Sequence, residues 1–229
     1  MGDVFCNESI RFLLQNSLKN SREWYANNRK SYEEFLLTPF RRLVGQLSTT
    51  MIKIDPNIEV RPLVGKTISR IHRDTRFSKD KSLYHDKMWI TFAHRTKESK
   101  SYPGFFFEVS PSSYRYGMGF FCASVKTMDL YRDAIIKNEE EFVRLVTDIK
   151  NKGYFVPEGE MYKRSKYKGS NELISHWYDR KSIYLVDKRD DIEEIFDFDS
   201  LQENISIKFY SLEKFYHFLK NTVSTNVVF

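Results

Sequence analysis

The 229-residue sequence predicts an α+β fold, an antiparallel sheet of about four or more strands flanked by N-terminal and C-terminal helices. Three observations point there. Apolar residues recur at helical spacing up to Asp55-Pro56. Between residues 66 and 121 the pattern changes to short aromatic and β-branched runs bounded by turn residues. Helical periodicity then returns. No repeat, low-complexity tract or Gly/Pro-rich linker divides these stretches, so one α+β domain over residues 1–229 is expected.

The N-terminal third reads as three helices. Asn7 caps the first, which runs through Ile10, Phe12, Leu13 and Leu14 to about Leu18. Asn20 with Glu23 has the form of a capping box and opens a second, REWYANNRKSYEEFLL, ending before Pro39. Thr38 caps the third, with Pro39 at its first position, where a missing N–H is harmless. Phe40, Leu43, Val44, Leu47 and Met51 make its apolar face.

Four strands are expected in the middle: Lys66 to His72, Lys87 to Phe92, Gly104 to Ser110 and Tyr114 to Phe121. A turn at Pro111-Ser112 joins the last two, setting Val109 opposite Tyr114 and Glu108 opposite Arg115. Alternation then puts Phe105, Phe107, Val109, Tyr114, Tyr116 and Met118 on one face, toward the core. The other face carries Phe106, Glu108, Arg115, Gly117 and Gly119, a charged pair beside an open floor. Further on, Thr127 caps a helix reaching Ile136. Asn138 with Glu141 opens another that Gly153 closes, and a last helix spans about Leu212 to Thr222. Between them lie a basic, turn-rich stretch, MYKRSKYKGS, and short mixed elements.

The segment SRIHRDTRFSKDKSLYHDK concentrates the chemistry. Arg70, Arg73, Arg76, Lys79, Lys81 and Lys87 are interleaved with Asp74, Asp80 and Asp86. Guanidinium forks suit phosphate and carboxylate oxygens, and Thr75 or Ser78 adds hydroxyl donors. The competing reading is internal wiring, because alternating signs also tie a long loop down by ion pairs. Candidate ligand-binding residues are Arg70, Arg73, Arg76, Lys79, Lys81 and Arg115, with Glu108, Asp74 and His72 as candidate acid–base groups. His72, Asp74, His85, Asp86 and Glu108 match no metal-ligand spacing, and cations crowd them, so no metal is expected. No Gly-rich phosphate loop, nucleophile elbow or HExxH motif occurs. Arg22 and Glu23, beside Trp24 and Tyr25 in the second helix, are placed to reach this loop.

Composition bounds the partners. With 41% hydrophobic and 30% charged residues the chain reads as folded and soluble. No apolar run is long enough to span a membrane, no leader is visible, and two cysteines, Cys6 and Cys122, make no disulfide framework. A cytoplasmic location follows as the expectation. A net charge of +6 favours anionic partners, small phosphates or nucleic acid. Cofactor and oligomeric state are not legible.

Together NSREWYANNRKSYEEFLLTPF, ISRIHRDTRFSKDKSLYHDK, PGFFFEVSPSSYRYGMGFF and WYDRKSIYLVDKRDD resemble the domain of unknown function 2461 family, in order and over nearly the whole chain. RDTRFSKDK is the specific part. The resemblance implies a single α+β domain of bacterial or fungal cytoplasmic type. It places Arg70, Arg73, Asp74, Arg76, Phe77, Ser78, Lys79, Asp80 and Lys81 in the family signature. Leu83 departs from it, standing where similar proteins tend to have Pro before the Tyr. No reaction is implied. From the residues, the expected function is binding, or enzymatic processing, of a phosphorylated small molecule or other anion. The alternatives are a nucleic-acid-associated protein, using also Lys163, Arg164, Lys166 and Lys168, and a scaffold or interaction protein whose charged motif is structural.

Overall fold

The computed structural model describes residues 3–76, 78–120 and 123–224. Phe77, Phe121 and Cys122, singled out above, lie outside that range. Helices α1 (Asn7–Lys19), α2 (Arg22–Asn27), α3 (Arg29–Tyr32) and α4 (Thr38–Ile54) come first. Strands β1 (Met88–Phe92), β2 (Gly104–Val109) and β3 (Tyr114–Gly119) follow. Then come α5 (Val125–Lys137), α6 (Glu139–Lys152), β4 (Val156–Glu158), α7 (Glu172–Tyr178), β5 (Tyr184–Arg189), α8 (Phe198–Ser211) and α9 (Glu213–Ser224). The strands form one five-stranded antiparallel sheet in the order β1-β2-β3-β5-β4. The α+β class is therefore established, and among the described residues no helix is long and apolar enough to cross a membrane.

Several caps sit one step from where the sequence pattern puts them. The N-cap of α1 is Cys6, whose backbone N–H is taken by the Ser9 hydroxyl at 3.1 Å. Asn20 does not open α2. It closes α1 in the left-handed region at φ 45°, and Ser21 caps α2 through its hydroxyl. Pro39 breaks nothing. A π turn at Glu33–Leu37 joins α3 to α4, and both the N–H and the hydroxyl of Thr38 bond the Glu33 carbonyl. One wide turn thus absorbs the proline without ending the helix. Ser124, not Thr127, caps α5, and Asn138 precedes α6 without a side-chain cap. Gly153 closes α6 at φ 69° as expected.

The β2–β3 hairpin has the expected register, closed by Ser110 N–H to the Ser113 carbonyl at 2.9 Å. Phe105, Phe107, Val109, Tyr114, Tyr116 and Met118 are all buried. The open floor does not exist. A Cβ at Gly117 would collide with the Leu185 carbonyl, and one at Gly119 with that of Ile183. The two glycines let β5 approach closely. Lys66 to His72 is not a continuous strand: Lys66 and Thr67 lie in a turn, and the segment joins β1 through Ile68↔Ile90 and the Ser69 and Thr91 amides. Helices α7 and α8 and strand β5 occupy the stretch read as short mixed elements, and β4 falls just ahead of the basic MYKRSKYKGS stretch before it.

The chain packs as two interleaved compact units. The first comprises Met1–Phe92, Phe106–Tyr116 and Lys188–Ile207, the second Ala93–Phe105, Gly117–Asp187 and Lys208–Phe229. In the first, Phe5 meets Phe40 edge-on at 5.1 Å and lies against Phe107 and Phe198. Leu36, Leu43 and Leu47 from the α3–α4 rod are fully buried there. In the second, Phe142 meets Trp177, Phe215 and Phe218, while Phe105 packs on Phe209 and Tyr216.

Candidate functional site

The charged signature is a loop with a paired base. Arg73 N–H bonds the Leu83 carbonyl at 2.9 Å, and His85 N–H bonds that of Ile71 at 2.8 Å. These bonds flank the bridge His72↔Tyr84. Residues 74–76 leave that base and residues 78–82 return to it. Opposite residues of an antiparallel pair put their side chains together, and the rings of His72 and Tyr84 are 4.9 Å apart.

Helix α2 supplies the second wall. Arg22 and Tyr25 are three residues apart and so share a helical face. Tyr25 stacks on Tyr84 at 5.2 Å and meets His72 edge-on at 5.0 Å. Trp24, on another face, packs against Phe12 instead. The joint between helix and loop is pinned by Asn20, whose Oδ1 accepts the Leu83 N–H at 2.7 Å. Between the walls lies a cleft of about 300 Å³ lined by Arg22, Tyr25, His72, Arg73, Thr75, Leu83 and Tyr84.

The lining carries two guanidiniums and no carboxylate. Arg73 pairs with Asp80 at 3.0 Å, whereas Arg22 has no ion-pair partner among the described residues. The positive field shows in His72. Burial, then the Arg22 charge, push its pKa below the usual imidazole value. His85 is lowered by burial and by Arg73. Tyr25 and Tyr84 are both raised, mainly by burial.

The other expected residues are spread out. Asp74 holds Arg76 in a two-pronged pair at 3.0 and 2.7 Å, which takes the carboxyl down to about 2. Lys81 donates to the Thr75 carbonyl at 2.8 Å. Asp80 is lowered by the Ser82 hydroxyl and amide, then by Arg73. Arg70 lies exposed alongside Gly65, and Lys79 is exposed. Glu108 sits between Arg115 at 2.7 Å and Lys87 at 3.1 Å on the hairpin, outside the cleft lining. The cleft forms where the loop meets α2, and neither Glu108 nor Arg115 lines it. Of the expected residues, Arg73 and His72 line it. Arg22, Thr75, Tyr25 and Leu83 are named in the sequence reading without being candidate ligands, and Tyr84 is a lining residue it does not single out. The signal available for Tyr25 was its spacing from Arg22, and for Tyr84 its register opposite His72.

In the second unit the basic stretch is wired to WYDR. The Tyr162 amide bonds the Asp179 carbonyl, and Asp179 Oδ1 accepts the Lys166 and Tyr167 amides at 2.7 and 3.3 Å. Burial raises the Asp179 carboxyl, but these bonds and those from Ser165 and Ser175 outweigh it and leave the group lowered. Arg132, 3% exposed, donates to the carbonyls of Tyr178 and Arg180 and lies over the Tyr162 ring at 5.2 Å. Lys163, Arg164 and Lys168 remain exposed.

The family described as "Conserved hypothetical protein (DUF2461)" matches residues 8–218, so the chain belongs to it. No curated protein gives a match.

Proposed function

We propose that this DUF2461 chain binds an anionic small molecule in the cleft between α2 and the 73–83 loop, with Arg22 and Arg73 as its cationic ligands. The observation that carries the reading is the lining, with two arginines, of which Arg73 is also paired to Asp80, and no carboxylate among the lining residues. A guanidinium-to-oxyanion bond contributes about 1.5–3 kcal/mol, so either arginine is worth about tenfold or more in affinity. Thr75 adds a hydroxyl donor at the same cleft. The acid–base candidates divide here. His72 is at the cleft, while Asp74 is committed to Arg76 and Glu108 to Arg115 and Lys87. Binding is proposed and no reaction step is assigned.

Pyrophosphate titration followed by thermal unfolding tests this, because a ligand of the native state raises the midpoint. The expected result is a salt-sensitive rise that Arg22→Gln and Arg73→Gln each weaken in proteins that still fold. No rise at millimolar phosphate or pyrophosphate overturns the reading.

One observation favours a second reading. Lys163, Arg164 and Lys168 are exposed without ion-pair partners among the described residues, on a loop fixed by Asp179. Such a platform suits nucleic-acid phosphates, and binding there would fall steeply with salt. The scaffold reading keeps a share too, since Arg76–Asp74 and Arg73–Asp80 are internal pairs.

A further inference from the structure

We infer that the cleft takes an anion joined to a planar ring, namely a nucleoside monophosphate, whose base rests on the Tyr25–His72–Tyr84 cluster while its phosphate meets Arg22 and Arg73. The inference rests on the anion-binding reading above and adds the class of ligand.

Three observations carry it. The first is the division of the cleft's surface. Arg22, Arg73 and Thr75 supply donors, while Tyr25, His72, Tyr84 and Leu83 supply ring and apolar surface. An inorganic anion would leave the second half uncovered. The second is accessibility. Tyr84 is buried at 2% exposure, but Tyr25 is only half-buried and His72 is exposed, so ring surface remains open to a ligand. The contacts among the three rings, at 4.9 to 5.2 Å, hold them as a preassembled platform. The third is size. At about 300 Å³ the void is at the lower end of the range for small-molecule pockets, ~300–1,000 Å³. That is the scale of a small ligand with one ring and one phosphate.

The polarity of the platform fits the same ligand. Although the residue is exposed, partial desolvation and then the Arg22 charge shift His72 toward its neutral form. Base–aromatic stacking is tolerant of base identity, so no preference among the four bases is assigned. The ligand chemistry has two sources, a free nucleotide or the 5′-phosphorylated end of a strand.

The test is calorimetric titration of the full chain with four probes: adenosine 5′-monophosphate, ribose 5-phosphate, adenosine, and a 5′-phosphorylated trinucleotide. The monophosphate is expected to bind at least about tenfold tighter than ribose 5-phosphate, the contribution of one stacked base. Tyr25→Leu, which keeps apolar bulk, should lower monophosphate affinity more than ribose 5-phosphate affinity and so remove that advantage. Should that variant not fold, the upfield ring-current shift of the wild-type His72 C–H resonances on adding the monophosphate reads the same stacking. A trinucleotide that binds as well as the monophosphate identifies a strand end, and one that binds more weakly identifies the free nucleotide. Equal affinity for the monophosphate and ribose 5-phosphate overturns the ring and leaves the anion reading standing. Adenosine binding as tightly as its monophosphate overturns the anion reading, and the proposal with it. No binding by any probe overturns both.

Discussion

The 74–82 loop and the 161–168 loop are both dense in charge, and they are held by opposite means. The first neutralises itself over two to seven residues, Asp74 with Arg76 and Asp80 with Arg73, through exposed or half-exposed side chains. Its fixed points are backbone bonds at the base and one distant acceptor, Asn20. The second is held from beneath by a buried carboxylate, Asp179, and a buried guanidinium, Arg132, both far along the chain from most of what they bind. The first arrangement leaves the loop's stability largely independent of its charges. The second makes it depend on two buried groups.

The largest expected effect tests that contrast directly. Asp179→Ala orphans two amides and the Ser175 hydroxyl in a partly buried setting and should destabilise the protein by ~2–4 kcal/mol in urea unfolding. A loss below half a kcal/mol would mean that the basic loop is not held from beneath. Next comes the distant acceptor of the other loop. Asn20→Ala puts alanine at φ 45° and removes the bond to Leu83, for a loss of about 1–2 kcal/mol. Asn20→Gly should restore the backbone part only. In both variants the Leu83 amide should exchange faster, and unchanged exchange would remove Asn20 from the account.

A smaller effect is read as a titration. Because the native His72 pKa is lowered, the unfolded chain binds the proton more readily. Its contribution to stability is complete above the ordinary value of 6.5 and fades as pH falls from there toward the native pKa. In Arg22→Gln the NMR midpoint of His72 should rise toward the ordinary value without reaching it, since burial, the larger cause, persists. A midpoint that does not move would show that the Arg22 charge is not felt in the cleft. The smallest effect belongs to Asp74→Asn. It removes an exposed pair, and the unfolding midpoint at pH 7 should stay where it is. A large drop would show that the first loop is as charge-dependent as the second.

Much of this architecture is legible in the sequence because local rules decide it. The hairpin register follows from one turn, and the Gly153 stop from one conformation. The cleft is less legible, because its walls come from segments 47 to 62 residues apart. Arg22 and Arg73 meet only through the docking of α2 on the 72–84 base. The charge pattern drew attention to Glu108, but the hairpin that positions it also supplies Arg115 as its partner. The two glycines of β3 were misread for a physical reason. A missing side chain signals either open space or a close neighbour, and only the neighbouring strand shows which.

The outermost strand β4 has a consequence for how the protein behaves when concentrated. It is three residues long, and its middle residue, Pro157, has no amide hydrogen to offer a further chain. Val156, 65% exposed on that rim, would otherwise be an adhesive spot. A sheet that stops in a short, proline-bearing rim is a poor template for edge-to-edge polymerisation. Replacing Pro157 with a β-branched residue is therefore a change whose first visible sign would be turbidity rather than any loss of binding.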